Sequence, residues 1–154
     1  MKIRTASVKW HGSFTEGRGE ISTESGALNK SLYSSGARFE QERGTNPEEL
    51  IAAAHAACYS MSLAVELRQM SFIADFIKVV AQVKLESLSN QGWKITHIHL
   101  NAEAAIPGCA PATFEKAANA AKINCLVSQL LNVNITLAAR LITLNSELFE
   151  GGSL

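Results

Sequence analysis

The chain has 154 residues, 47% hydrophobic and only 18% charged, with Lys+Arg and Asp+Glu balanced at 14 each. That length fits one domain (residues 1–154) with a sizeable core, and the balanced charge gives no electrostatic basis for binding nucleic acid or an anionic membrane surface. The opening Met1-Lys2-Ile3-Arg4-Thr5 lacks the apolar stretch of a signal peptide, and three cysteines, an odd number, do not make a structural disulfide framework. The expectation is a cytoplasmic protein whose cysteines are catalytic, redox-active or simply buried.

In chain order, Lys2 to Trp10 alternates Ala6, Val8 and Trp10 and reads as a strand. Turn residues follow, and Glu20 to Thr23 reads as a second short strand, broken by Ser25-Gly26. Leu28 to Phe39 is ambiguous, and Glu40 to Thr45 is charged, ends beside glycine and reads as a solvated loop.

Asn46 to Gln69 is the segment around which the rest is organised. Asn46 suits an N-cap, Pro47 the first helical position, and Glu49 makes a capping-box-like pattern with Asn46. From Leu50 to Val65 there is no Asp, Glu, Lys or Arg. A helix apolar or small on every side is expected to be buried on every side, and its alanines admit close neighbours. The uncharged run is shorter than the ~20 residues of a bilayer span and contains His55, Ser60 and Ser62. This predicts a buried central helix of a soluble protein.

After Met70 the period changes to two. Ile77, Val79, Ala81, Val83 and Leu85 alternate with mostly polar residues, the mark of a half-buried strand. Asn90-Gln91-Gly92 forms a turn, Trp93 to Ala104 is the antiparallel partner, and Pro107-Gly108-Cys109-Ala110-Pro111 ends it. Thr113 to Ile123 reads as a helix with Phe114, Ala117, Ala118 and Ala121 on one side. Asn124 interrupts it and caps a short helix, Cys125 to Leu131. Val133 to Leu141 is a last strand, and Glu150 to Leu154 should fray. The order gives an α+β fold.

Three cysteines and four histidines carry the candidate chemistry. Cys58, in the middle of the long helix, is most simply a small buried hydrophobe; its neighbours Ala, Ser and Tyr also leave space for an approaching group. Cys125 stands at a helix N-terminus, where free N–H groups favour a thiolate, though an inert buried thiol fits as well. Cys109 lies in a Pro/Gly loop without an evident role. His97 and His99 share a strand face as a structural or metal-binding pair with no third ligand in view, and His55 reads as a core histidine. There is no Walker loop, Gly-x-Gly-x-x-Gly or Gly-x-Ser-x-Gly motif.

The stretches Arg38-Phe39-Glu40, Gly44-Thr45-Asn46-Pro47-Glu48-Glu49-Leu50 running on to Cys58, and Ala121-Lys122-Ile123-Asn124-Cys125-Leu126-Val127-Ser128-Gln129 resemble the bacterial OsmC/Ohr family, osmotically inducible protein C and the organic hydroperoxide resistance proteins, and its OsmC branch more closely. The resemblance covers nearly the whole chain; Leu126 stands where many members carry proline after the second cysteine. It implies antiparallel sheets packed around the central helix, an intertwined homodimer, and a thiol peroxidase without metal or haem. Cys58 matches the cysteine that attacks a peroxide oxygen and becomes a sulfenic acid, and Cys125 the one that resolves it as a Cys58–Cys125 disulfide. An external dithiol, a lipoyl protein being one candidate, reduces that bond. Arg38 matches the family arginine and Glu48 the glutamate paired with it.

Helix geometry supports that choice of glutamate: at ~100° per residue Glu49 faces away from Cys58, while Glu48 is only ~80° round from it. A guanidinium so fixed would hold Cys58 below the ~8.5 of a free thiol. The reading is an enzyme reducing organic hydroperoxides, with hydrogen peroxide as a further candidate, in oxidative or osmotic stress defence. The alternative is a non-catalytic stress-response protein, or a binder of a small apolar ligand, on the same fold.

Overall fold

The computed structural model describes residues 1–143; the expected fraying of Glu150 to Leu154 lies outside them. By its internal contacts the chain forms two compact units, Met1–Ile51 and Ala52–Leu154.

In the first unit, β1 (Ala6–His11), β2 (Arg18–Thr23) and β3 (Ser31–Ser34) form an antiparallel sheet in that order. Trp10, Gly19 and Tyr33 lie opposite one another across the three strands. A Cβ on Gly19 would stand 2.2 Å from the Tyr33 ring, so the glycine lets Tyr33 lie across β2, with its ring centroid 5.3 Å from that of Trp10. All of β1 is exposed, so its alternation marks a strand and not a covered face. The ambiguous Leu28–Phe39 stretch contains β3 and the one-turn helix α1 (Ser35–Phe39). The Ala37 amide donates to Ser34 Oγ at 2.9 Å, an N-cap.

Helix α2 (Pro47–Gln69) starts as its sequence predicts: the Glu49 amide donates to Asn46 Oδ1 at 2.8 Å. The other half of the capping box is absent, because the Glu49 carboxylate instead accepts from Thr45 Oγ1 at 3.0 Å. The helix ends in a Schellman pattern. Phe72 N–H donates to Leu67 O and Ser71 N–H to Arg68 O, with Ser71 taking the left-handed conformation (φ +64°) that glycine usually supplies.

In the second unit, β4 (Phe76–Leu88) and β5 (Gly92–Ala105) form a long antiparallel hairpin, as the alternation predicts, and Gly92 at φ +69° allows its turn. The chain then crosses through α3 (Pro111–Asn124) and α4 (Leu126–Leu130) to β6 (Asn134–Ile142), which pairs with β5 in parallel. Both sheets rest on antiparallel pairs as expected; the β5–β6 pairing departs from this because a helical crossover returns the chain in the same direction. Phe114, Ala117, Ala118 and Ala121 of α3 are all buried, as their spacing predicts. They pack with Tyr59, Leu63 and Leu67 of α2 and Leu100 and Ala102 of β5.

Two expectations about the helices change. The break falls at Cys125, whose extended backbone ends α3 and begins α4, while Asn124 is the last α3 residue. Asn124 does not cap α4; its Nδ2 donates to Glu66 Oε1 at 2.8 Å. Nor is α2 buried on every side, since Met61 is 72% and Val65 53% exposed along a face shared with Ala53, Ala54, Ala57 and Ala64. One chain covers one side of this helix. By length and mean hydropathy (1.4) α2 would suffice to cross a bilayer, a test that core helices also pass; its Tyr59, Leu63 and Leu67 lie in the protein core.

Candidate active site

The first unit brings Arg38 and Glu48 together. Arg38, in the last turn of α1, donates from Nε to both Glu48 carboxylate oxygens at 3.1 Å and from Nη2 to Oε1 at 2.5 Å. The Arg38 side chain is 32% exposed and that of Glu48 10%. The guanidinium also lies 5.1 Å from the centroid of the Phe39 ring. Asn46, whose Oδ1 caps α2, donates from Nδ2 to Ala37 O at 3.3 Å, tying α1 to the start of the helix. The result is a cation fixed in direction by a nearly buried carboxylate. Glu49 takes no part and is exposed.

The second unit brings Cys58 and Cys125 together. Both thiols are free, Cys58 half-buried on α2 and Cys125 fully buried at the α3–α4 break, and they are neighbours, each among the groups that shift the other's pKa. Burial pushes Cys58 above the ordinary thiol value; the Val127 and Leu126 amides oppose this, and Cys125 adds to the rise. Burial acts the same way on Cys125 but is outweighed by the Ser128 amide and hydroxyl, the Cys58 thiol and the Val127 amide, so Cys125 is lowered. No conventional side-chain cap closes α4, and these amides act on sulfur where a capping oxygen would stand. The two shifts run in opposite directions, so of the pair Cys125 gives up its proton more readily.

The lowered Cys125 is what its place at a helix N-terminus predicts. Cys58 differs from expectation because the strongest influences on it are burial and its neighbours on α4 and at the α3–α4 break, with Arg38 not among them.

His55 is a core histidine, fully buried, with Nε2 2.8 Å from Ser128 Oγ; burial lowers its pKa, and its Nδ1 has no partner. His97 and His99 converge on a hydroxyl: Thr136 Oγ1 lies 2.8 Å from His97 Nε2 and 2.7 Å from His99 Nδ1. Among the described residues no group of three metal-ligating side chains forms. Cys109 is half-buried and raised by burial, its Sγ 3.5 Å from Ala110 O. Sequence reasoning missed Ser128 and the Glu66–Asn124 bond. Ser128 at the third position of a short helix is a signal of sorts, but its partner His55 is 73 residues away.

An open cleft of about 500 Å3 also lies along α2, lined by Met61, Ala64, Arg68, Phe72 and Ile77.

A dithiol pair seated between a long helix and a helical crossover, on an α+β frame, defines a class of redox-capable domain, and comparison with known proteins places this one. The family described as OsmC-like protein matches residues 40–139, and the chain belongs to that family. It is 47% identical over 128 residues to Peroxiredoxin OsmC of Escherichia coli (strain K12), covering 83% of this chain and 89% of that protein. To Organic hydroperoxide resistance protein OhrB of Bacillus subtilis (strain 168) it is 34% identical over 96 residues, 62% of this chain and 68% of the other. The crystal structure of OhrB from Bacillus subtilis superposes with a TM-score of 0.65 at 26% identity, covering 88% of this chain and 98% of that one. An OsmC-like protein from Vibrio cholerae gives a TM-score of 0.73 at 17% identity, over 91% and 100% of the two chains, a likeness of fold.

Proposed function

We propose that this chain is a cysteine-based peroxidase that reduces organic hydroperoxides in a single OsmC-like domain spanning residues 1–154. The observation that carries the reading is the neighbouring Cys58–Cys125 pair, one thiol half-buried and the other buried. The names of the relatives, Peroxiredoxin OsmC and Organic hydroperoxide resistance protein, support it.

Loss of its proton leaves Cys58 as the thiolate, the nucleophilic form. The thiolate attacks one peroxide oxygen, the O–O bond breaks, and the alkoxide leaves as alcohol after taking a proton. Cys58 is then a sulfenic acid. The Cys125 thiolate attacks its sulfur, hydroxide departs, and a disulfide remains for an external dithiol such as a lipoyl protein to reduce. Arg38, aimed by Glu48, is assigned to stabilise the Cys58 thiolate and the departing oxygen, a role that follows from the family resemblance.

The test is to treat reduced protein with one equivalent of cumene hydroperoxide and count thiols. Two of the three should disappear, and peptide mapping should find them joined as Cys58–Cys125. The open apolar cleft along α2 favours a second reading, binding of a small apolar ligand without turnover. That reading predicts an unchanged thiol count.

The working form is a cytoplasmic homodimer in this proposal, supported by the uncharged exposed face of α2 at Ala53, Ala57, Met61 and Val65. Cys58 and Glu48 stand ten residues apart on α2, ~15 Å along its axis at ~1.5 Å per residue. Two copies crossing antiparallel would shorten that path. Refolding inactive Cys58→Ser together with inactive Glu48→Ala chains should restore activity through mixed dimers with one intact site. Mixed dimers that stay inactive would show that each site is built within one chain.

A further inference from the structure

His55 has no part in the peroxidase chemistry, yet it adjoins Ser128, one of the groups that lower Cys125. The two side chains meet at 2.8 Å, His55 from α2 and Ser128 from α4, where Ser128 is the third residue of the helix whose N-cap is Cys125 and its hydroxyl is among the groups that lower the Cys125 thiol. We propose that His55 is a positioning residue for the resolving step: its Nε2–H holds the Ser128 oxygen, so that the hydroxyl proton points at Cys125 and favours the thiolate that closes the disulfide. The proposal rests on the peroxidase reading for the step it serves, and on the geometry alone for the protonation it sets.

One proton decides the arrangement. A serine hydroxyl has a single hydrogen, which goes either to His55 or to Cys125. The unpartnered Nδ1 of His55 decides between them, because the ring is fully buried and neutral and carries its proton on one nitrogen or the other. Were the proton on Nδ1, a buried N–H donor would have no acceptor, the rarer and costlier arrangement. Were it on Nε2, Nδ1 would be an unpaired acceptor, which is more readily tolerated. The second tautomer makes Nε2 the donor to Ser128 Oγ and frees the Ser128 hydrogen for sulfur.

The other titratable side chains around Cys125 do not offer this service. Cys58 contributes its own thiol, already counted in the pair. The Tyr59 hydroxyl donates to Ala118 O at 3.1 Å, and Glu66 accepts from Asn124. His55 and Cys58 are three residues apart on α2, hence on one side of the helix, so a single rigid element presents both to the α3–α4 break. In the resolving reaction the Cys125 sulfur supplies the electron pair of the new S–S bond, the S–O bond of the Cys58 sulfenic acid breaks, and hydroxide leaves to solvent, where a buffer acid protonates it to water. A donor that keeps Cys125 ionised raises the fraction of chains ready for that attack.

The test leaves Cys125 as the sole thiol, in a Cys58→Ser, Cys109→Ser chain, and follows thiolate ultraviolet absorbance against pH. Ser128→Ala and His55→Phe should each move the titration midpoint up by about one pH unit, the loss of one hydrogen bond to the charged form. His55→Gln, whose amide can donate from a similar reach, should stay near the parent. In the chain with all three cysteines, disulfide closure after a peroxide pulse at neutral pH should slow by up to about tenfold in Ser128→Ala. Superimposable titrations of Ser128→Ala and the parent would overturn the proposal. So would a shift in Ser128→Ala with none in His55→Phe, or a shift in His55→Gln as large as in His55→Phe. If the unmutated chain consumes no peroxide the peroxidase reading fails, and the Cys125 titration still decides whether His55 and Ser128 set its charge.

Discussion

The Arg38–Glu48 pair and the His55–Ser128–Cys125–Cys58 cluster solve opposite problems. In the first, charge is permanent and direction is what must be supplied. A guanidinium ionised at every relevant pH is aimed by three hydrogen bonds to one carboxylate, with part of the ion pair left in solvent. In the second, position is given by a buried helix crossing and charge is what must be supplied, through neutral donors: two amides, a hydroxyl and a thiol. Breaking the first should misdirect a charge that persists, and breaking the second should move a proton.

The largest effect tests whether the two cluster thiols have separate duties. Cys58→Ser should abolish peroxide consumption. Cys125→Ser should consume one equivalent and then stall as a sulfenic acid open to over-oxidation, visible by mass spectrometry. Cys109→Ser should behave as the parent. A peroxide-induced Cys58–Cys109 bridge would remove Cys125 from its role.

Next, Glu48→Ala strips the cation of its guide. Loss of hydrogen bonds between ionised groups should cost about 2 kcal/mol in urea unfolding and leave the chain inactive towards peroxide. Glu49→Ala, which loses one exposed bond to Thr45, should cost about 0.5 kcal/mol and leave the rate alone. Equal losses from the two would dissolve the distinction between neighbours.

The smallest effect belongs to the neutral cluster. His55 in the folded chain lies below its ordinary value of 6.5, so the unfolded chain takes up its proton first as pH falls. Stability from this group is complete above about pH 6.5, declines below it by at most about 1.4 kcal/mol per pH unit, and levels off past the folded value. His55→Gln should flatten that slope between about pH 6.5 and 5 in urea titrations, and an unchanged slope would assign the pH dependence elsewhere.

Much of this was legible in the residues. Asn46-Pro47 and the uncharged run mark α2, period two marks the β4–β5 hairpin, and the Phe114-Ala117-Ala118-Ala121 spacing marks the buried side of α3. Glu48 was matched through the family resemblance, with the helix angle in its favour over Glu49, and it is the glutamate that pairs with Arg38. What stayed hidden depends on contacts between distant segments. Asn124 looks like a cap until Glu66, 58 residues away, is seen to hold it. The direction of β6 depends on how a crossover packs, and alternation is the same in either direction. Apolar character all round α2 does not say that one chain covers only part of it. Ser34 as the N-cap of α1 was readable in principle, but a helix of five residues carries too little periodicity to announce itself.

The parallel seam between β5 and β6 also sets a timetable. β4 and β5 meet through a tight turn, the kind of local pairing that forms within microseconds, whereas β6 finds β5 only after α3 and α4 have crossed. Cys125 rides in that crossover. Until the late, non-local contacts close, it is held to Cys58 only by a long slack loop, so an oxidant arriving during synthesis meets two solitary thiols. Assembly of the couple thus waits on contacts between segments far apart in the sequence.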